Sequence, residues 1–350
     1  MQKMTMRRGT RMALFRARNS TQQAPLDGVD VVLADLDGVV YRGHEAIPHA
    51  VDSLNRASAH ARVAYITNNA SRTDAAVAEQ LRGFGLGVEP SDIVTSPQAA
   101  VRLLAGLVPA GSRILVVGGE GLSSVVEAAG FRVVASADDE PAAVIQGFSP
   151  DVGWRELAEA SFALAGGEDG IPWVATNTDW TIPVARGIAP GNGTLVSAVH
   201  SAVGRLPVVA GKPEVAIFDE ARTRFGAKHP LFIGDRLDTD VLGANRAGIE
   251  SALVLTGIDR AKQLLAAGPE LRPTYILEDL RGLHEPYPAV EKRRGGTTVV
   301  GEAAVRVAGT AVEVVRDGDG GVDLLRAACH AIWDSGTAIY ALDVPERLYR

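Results

Sequence analysis

Along most of the chain, short apolar runs rich in Val, Ile and Leu alternate with stretches whose apolar positions recur every three or four residues. The first pattern is that of strands buried on both faces, the second that of helices with one apolar stripe. Their alternation predicts a parallel sheet flanked by helices. The strand expected at residues 29–34 ends at Asp35, and that at 62–66 ends at Thr67. The run 93–95 leads into Ser96-Pro97, a cap followed by a residue suited to the first helical turn. Two more apolar runs come much later, 231–233 ending at Gly234-Asp235 and 251–255 ending at Thr256-Gly257.

The intervening segment has an alternation of its own, with strands expected at 114–117, 143–145 and 173–175 and helices near 120–130 and 154–165. A self-contained α/β block of about a hundred residues inserted into another α/β domain accounts for this arrangement. Residues 285–296, with Pro286, Pro288 and the run Lys292-Arg293-Arg294, read as a linker. Beyond it, strands are expected at 297–307 and 311–315, meeting at Gly309, and a helix at 323–333. These would form a small α+β appendage.

Composition adds limits. Apolar residues are 46% and charged residues 22% of the 350, ordinary for a globular chain. No apolar run approaches the ~18 residues of a membrane span. Lys3, Arg7, Arg8, Arg11, Arg16 and Arg18 precede the first acid, Asp27, so a net charge of −7 hides −13 on the remainder. Such a body is a poor non-specific partner for nucleic acid. Residues 1–25 read as a disordered basic leader, whose apolar stretch 12–15 is too short for a signal peptide. The single cysteine, Cys329, has no internal disulfide partner and lies in an apolar helical stretch, as expected of a buried thiol in a reducing cytoplasm.

The chemistry concentrates at strand ends. Asp35-Leu36-Asp37-Gly38 follows the first strand, and a turn at Gly38 lets both carboxylates converge, one to attack phosphorus and one to move a proton. Thr67-Asn68-Asn69 offers a hydroxyl and backbone N–H groups to phosphate oxygens. Gly211-Lys212-Pro213 supplies a cation ahead of a helix. Gly234-Asp235-Arg236-Leu237-Asp238-Thr239-Asp240 supplies carboxylates for a hard, oxygen-ligated ion such as Mg²⁺. Singly, each has a plain structural explanation: Thr67 or Asp238 as helix caps, Lys212 as a solvated loop residue. All four in this order are hard to reach by chance. Gly119-Glu120-Gly121 carries only half of a dinucleotide fingerprint and reads as an ordinary strand-to-helix turn. The seven histidines show no metal-ligand spacing.

These segments resemble the four sequence motifs of the haloacid dehalogenase-like superfamily, in the family's order. The long insertion resembles its type II capped, nitrophenylphosphatase-like branch, as do Ala175-Thr176-Asn177-Thr178-Asp179, Pro183, Pro190-Gly191-Asn192-Gly193, Gly243-Ala244-Asn245 and Val254-Leu255-Thr256-Gly257. The resemblance covers residues 26–285. It implies an α/β fold in which a Rossmann-like parallel-sheet core (26–96 and 205–286) carries the catalytic groups beneath an inserted α/β cap domain (97–204). Residues 287–350 make the C-terminal α+β appendage. Carried over residue by residue, it makes Asp35 the nucleophile and a metal ligand. Asp37 becomes the general acid/base, with its backbone carbonyl on the metal, and Asp235 the remaining protein ligand of Mg²⁺. Thr67, Asn68 and Asn69 would hold the phosphoryl group, Lys212 would orient the nucleophile and touch the substrate, and Asp240 would stand behind these groups. Asn177 and Asp179 are the expected cap contacts to substrate.

The implied reaction is Mg²⁺-dependent hydrolysis of a small phosphorylated metabolite through an aspartyl-phosphate, with no nucleic-acid or membrane partner and a homodimer formed through the cap. The alternative is a non-catalytic phosphate-ester sensor on the same fold, which would have no need of Asp37. Capped relatives act on pyridoxal phosphate, phosphoglycolate, glycerol phosphate or nucleotides. Pyridoxal phosphatases resembling this chain place a histidine near the position of Ile182, which argues against that substrate. The whole layout, tail included, resembles actinobacterial glycerol-3-phosphate phosphatases.

Overall fold

The computed structural model describes residues 23–350 apart from 185 and 320, so the basic leader through Arg18 lies outside the described residues. The chain opens with β1 (Val31–Ala34), a small hairpin of β2 (Tyr41–Arg42) and β3 (Glu45–Ala46), α1 (Ala50–Ala57), β4 (Arg62–Thr67), α2 (Asp74–Gly83), β5 (Ile93–Thr95) and α3 (Ser96–Ala105). The inserted block follows as β6 (Arg113–Val117), α4 (Glu120–Ala128), β7 (Arg132–Val134), β8 (Ala143–Gln146), α5 (Trp154–Ala163), β9 (Trp173–Ala175), the hairpin β10 (Thr181–Val184) and β11 (Gly187–Pro190), α6 (Asn192–Val203) and β12 (Val208–Val209). The chain then returns through α7 (Val215–Phe225), β13 (Pro230–Gly234), α8 (Leu242–Arg246), β14 (Glu250–Val254), α9 (Ala261–Leu265) and β15 (Tyr275–Leu277).

The core sheet has the order β15-β14-β13-β1-β4-β5, parallel throughout. All four β1 residues are buried. Val32 and Ala34 face a cluster that includes Leu54 and Leu81 of α1 and α2, while Val31 and Leu33 face Leu104 of α3 and Phe218 of α7. Burial on both faces is why the strand reads as a continuous apolar run. From β1 the sheet extends through β4 and β5 on one side and through β13, β14 and β15 on the other, so the carboxyl end of β1 is the switch point where open α/β sheets bind ligands.

The cap is a second parallel sheet, β12-β9-β8-β6-β7. One face joins the core through α3, with Ile114, Leu122, Ile145 and Val174 in the same cluster as Leu33 and Ile66; the other packs on Ala160 of α5 and Val196 and Val199 of α6. Because β12 pairs with β9, the cap sheet runs past residue 204, where the sequence pattern closes it. Gly119-Glu120-Gly121 is the turn from β6 into α4, and its Gly121 abuts the backbone of Ala70 and Arg72 in the core.

The appendage differs from its expected outline. The linker region contains a strand, β16 (Val290–Arg293), and the run 297–307 is broken at Gly301-Glu302 into β17 (Thr297–Val300) and β18 (Ala303–Ala308). With β19 (Ala311–Arg316) they form an antiparallel sheet backed by α10 (Val322–Ser335). Ala327, Ala328, Cys329 and Ile332 of α10 share one cluster with Leu253, Leu264 and Ile276 of the core, and burial pushes the Cys329 thiol well above its ordinary titration range. No helix among the described residues is long and apolar enough to cross a membrane.

Candidate active site

Three of the four motif segments leave the core sheet at the carboxyl ends of adjacent strands, Asp35 after β1, Thr67 at the end of β4 and Asp235 after β13. The fourth, Lys212, lies between β12 and α7, on the return from the cap. The Lys212 ammonium reaches into the core, 2.7 Å from Asp35 Oδ1 and 2.7 Å from Asp240 Oδ1. Lys212 is 4% exposed and Asp240 wholly buried, so water screens neither contact.

Carboxylate oxygens of Asp35, Asp235 and Asp240 lie within 4.8 Å of one another. Burial pushes the Asp35 carboxyl well above its ordinary range, with Lys212 pulling it down and Asp240 and Asp235 pushing it further up. Burial and the Asp240 charge raise Asp235 to about 7. Burial works against the charge on Lys212, but the Asp240 and Asp35 carboxylates outweigh it and hold the ammonium protonated above its usual value. One lysine cannot offset three carboxylates, and this donor set of oxygens alone suits a hard divalent cation.

The three acids are not equivalent. Asp240 spends Oδ1 on Lys212 and Oδ2 on the N–H groups of Asp235 (3.1 Å) and Arg236 (3.2 Å), so it braces the loop. Asp235 accepts one bond, from the N–H of Ile258 at 2.6 Å. Asp35 keeps Oδ2 without a protein partner among the described residues. Asp35 and Asp235 therefore remain to hold a cation. Gly38 makes this possible: it takes φ +82°, and a Cβ there would stand 2.3 Å from Asp235 Oδ2. Its carbonyl accepts from Thr256 Oγ1 at 2.7 Å, tying the loop after β1 to the loop after β14.

Asp37 is exposed. Desolvation by the surrounding protein nevertheless raises its carboxyl, opposed by the charges of Lys212 and Arg72 and a hydrogen bond from Tyr41. A carboxyl whose affinity for its proton is raised suits a general acid. Neither Tyr41 nor Arg72 was anticipated from the sequence. Arg72 is held by Gln80 Oε1 (2.5 Å) and the Ala76 carbonyl (3.0 Å), at the foot of the cap.

The remaining expected site residues divide. Thr67 is buried at the strand end and its hydroxyl accepts from Asn69 N–H at 3.1 Å. The Asn69 side chain turns away to receive the N–H and hydroxyl of Ser71. The Asn68 amide pairs with Lys212 and Asp179. Asn177 is buried, donating to the Asn68 carbonyl at 2.8 Å and accepting from Asp179 N–H at 3.1 Å. Burial raises the Asp179 carboxyl, with Asn68, Lys212 and Arg236 opposing. The cap contacts expected to meet substrate thus sit at the junction of cap and core, joined to Asn68.

Fold and site together define a capped α/β hydrolase whose core carries three clustered carboxylates and a buried lysine at the carboxyl end of its central strands. Residues 32–132 match the family model described as haloacid dehalogenase-like hydrolase, and 209–283 match a second HAD-hydrolase-like model. The chain is 43% identical over 312 residues to the D-glycerol 3-phosphate phosphatase of Mycobacterium tuberculosis, covering 88% of this chain and 87% of that protein. It is 35% identical to the glycerol-3-phosphate phosphatase of Gallus gallus, covering 79% and 96% respectively. A crystal structure of the M. tuberculosis glycerol phosphate phosphatase in complex with magnesium superposes with a TM-score of 0.84 at 40% identity, covering 93% of this chain and 96% of that one. The 4-nitrophenylphosphatase of Thermotoga maritima gives 0.68 at 28%, covering 75% and 98%. The chain belongs to the haloacid dehalogenase-like hydrolases, and within them to the phosphoric monoester hydrolases.

Proposed function

We propose that the protein hydrolyses glycerol 3-phosphate, with Mg²⁺ held by Asp35, Asp235 and the backbone carbonyl of Asp37. The observation that carries the chemistry is Lys212 wedged between Asp35 and Asp240, which holds one Asp35 oxygen and leaves the other to attack. When bound, Mg²⁺ offsets the repulsion between carboxylate and phosphate dianion. Asp35 Oδ2 forms a bond to phosphorus, the ester P–O bond breaks, and the leaving oxygen takes the proton of Asp37. Asp37, now a carboxylate, accepts a proton from water as that water attacks the aspartyl-phosphate. The P–O bond to Asp35 breaks, releasing inorganic phosphate. The Thr67 hydroxyl and the Asn68 backbone N–H steady the phosphoryl oxygens.

The choice of substrate is supported by similarity to two proteins named for glycerol phosphate, one of them matched through the appendage as well as core and cap. The test is kcat/KM at equal Mg²⁺ for glycerol 3-phosphate, phosphoglycolate, pyridoxal phosphate and a nucleoside monophosphate. Glycerol 3-phosphate is expected to lead by about tenfold or more; a lead for pyridoxal phosphate overturns the choice and the weight placed on Ile182. Turnover of none of them favours the sensor.

We also infer a homodimer through the cap, acting in the cytoplasm. Trp154, Phe162, Trp180, Ile188 and Leu206, all in the cap, are each more than 60% exposed. Large apolar groups gathered on one domain support a protein–protein contact. Light scattering on Trp154→Glu and Phe162→Glu tests it: a wild-type mass of two chains should fall to one.

A further inference from the structure

We propose that Asn68 is a positioning residue that sets the main chain of the catalytic lysine and latches the cap to it. This deepens the phosphatase reading and rests on it. Asn68 follows Thr67 at the end of β4, and its side-chain amide meets residues far away in the chain. Oδ1 accepts from the Lys212 N–H at 2.8 Å, and Nδ2 donates to the Lys212 carbonyl at 3.0 Å. The two bonds grip both polar groups of Lys212, as a neighbouring strand would. Nδ2 also lies 3.2 Å from each carboxylate oxygen of Asp179, on the segment between β9 and the β10–β11 hairpin.

The backbone of Asn68 is engaged as well. Its carbonyl accepts from Ser96 Oγ at 2.7 Å and from Asn177 Nδ2 at 2.8 Å. Thus α3, by which the chain enters the cap, residues 177–179 within the cap, and residue 212, by which the chain returns, all converge on one residue. Gly211 lets them approach: a Cβ there would stand 2.5 Å from the Thr176 carbonyl and 2.6 Å from Asn68 Oδ1.

A side-chain amide has one acceptor and a two-hydrogen donor, and here both ends are used. What Asn68 can offer a phosphoryl oxygen is its backbone N–H, while its side chain fixes where the Lys212 ammonium starts from. Lys212 must bridge Asp35 and Asp240, each at 2.7 Å, so a shift of its main chain disturbs both contacts. Residues acting through such geometry change kcat strongly without touching substrate.

The test is a polarity swap. Asn68→Asp keeps an acceptor for the Lys212 N–H but sets a carboxylate against the Lys212 carbonyl and Asp179. Adding Asp179→Asn returns a donor to that pair. With p-nitrophenyl phosphate and Mg²⁺, Asn68→Asp is expected to lower kcat by about 10², more than it raises KM, and the double variant to regain about tenfold, as directly coupled partners do. A second readout needs no turnover. Amide hydrogen exchange over residues 209–214 should quicken in Asn68→Ala, which introduces no charge, and in Asn68→Asp, and slow again in the double variant. A double variant no better than Asn68→Asp overturns the latch. So does unchanged exchange in Asn68→Ala with a raised KM, which would put the side chain on the substrate. An inactive wild type would refute the phosphatase reading while the exchange measurement still judged the latch.

Discussion

Lys212 Nζ and Asp240 Oδ1 meet at 2.7 Å, although 28 residues and a change of strand separate them. Asp240 also receives the N–H groups of Asp235 and Arg236, so one buried carboxylate joins the lysine to the loop bearing Asp235, the second of the proposed metal ligands. Asp240→Asn keeps the volume but cannot accept at every contact, because one of its two terminal atoms becomes a donor. The expected result is a fall in kcat of about 10²-fold, with the Mg²⁺ midpoint of turnover moved to higher concentration. Titrating activity against Mg²⁺ separates this from a purely structural role, in which melting temperature would drop and the Mg²⁺ midpoint would stay.

Asp35→Asn should keep the fold and abolish turnover. The amide is nearly isosteric but a very poor nucleophile, so the loss should span several orders of magnitude. It also removes one charge from three crowded carboxylates, so the metal-free variant should melt no lower than wild type. Residual turnover within about tenfold of wild type would falsify nucleophilic attack by Asp35.

Much of this was readable along the chain, for a physical reason. Strands β1, β4 and β13 are largely buried and read as apolar runs, and the proposed site residues Asp35, Thr67 and Asp235 lie at or directly after their carboxyl ends, so the proposed site follows the strand pattern in sequence. What could not be read was decided across the chain. Asn68 and Lys212 are 144 residues apart, and no local spacing reports an amide paired with a distant peptide. Arg72 and Tyr41 are single residues without a motif. The strand β16 was hidden because three of its four residues, Glu291, Lys292 and Arg293, are charged and exposed, and only Val290 packs against the apolar cluster. Lys292 points toward α10, donating to the His330 carbonyl at 3.3 Å and pairing with Asp334, and also reaches Thr298 Oγ1 of β17 at 2.8 Å, while Arg293 pairs with Glu291 at 3.0 Å. Charge on an edge strand discourages further pairing and resembles a linker.

Chelation followed by dialysis should remove activity, and Mg²⁺ should restore it. Ca²⁺ should bind without restoring turnover, because it accepts more and longer oxygen bonds than compact octahedral Mg²⁺. With Ca²⁺, both oxygens of Asp35 can be drawn to the cation and the attack is lost. Undiminished turnover after complete chelation would remove any metal role for Asp235.

The appendage seals the open edge of the core sheet. On β15, the Ile276 N–H donates to Tyr287 Oη at 3.0 Å, and its carbonyl accepts from Arg326 Nε (2.8 Å) and Nη2 (2.6 Å). The Arg326 guanidinium lies 4.3 Å from the centre of the Tyr287 ring and pairs with Asp323 at 2.6 Å. Arg326→Met would fill the space and leave the Ile276 carbonyl without its charged donor. A loss of about 2–4 kcal/mol in denaturant unfolding is expected, with kcat changed far less. A stability within ~0.5 kcal/mol of wild type would show the edge to be satisfied without this contact.

Asp179 gives a pH test. Burial raises its carboxyl above the ordinary 3.8, and the bond from Asn68 and the charges of Lys212 and Arg236 only partly oppose this. The folded state therefore binds this proton more tightly than the unfolded chain does. Its contribution to stability is full below 3.8 and is lost as pH rises through the raised folded value. Asp179→Asn does not titrate and still accepts from Asn68 through its carbonyl oxygen. The variant should gain on wild type as pH rises, so the difference in melting temperature should be larger at about pH 7.5 than at about pH 4.5. A difference independent of pH would mean that Asp179 keeps its water in the folded protein, and a junction between cap and core that stays wet.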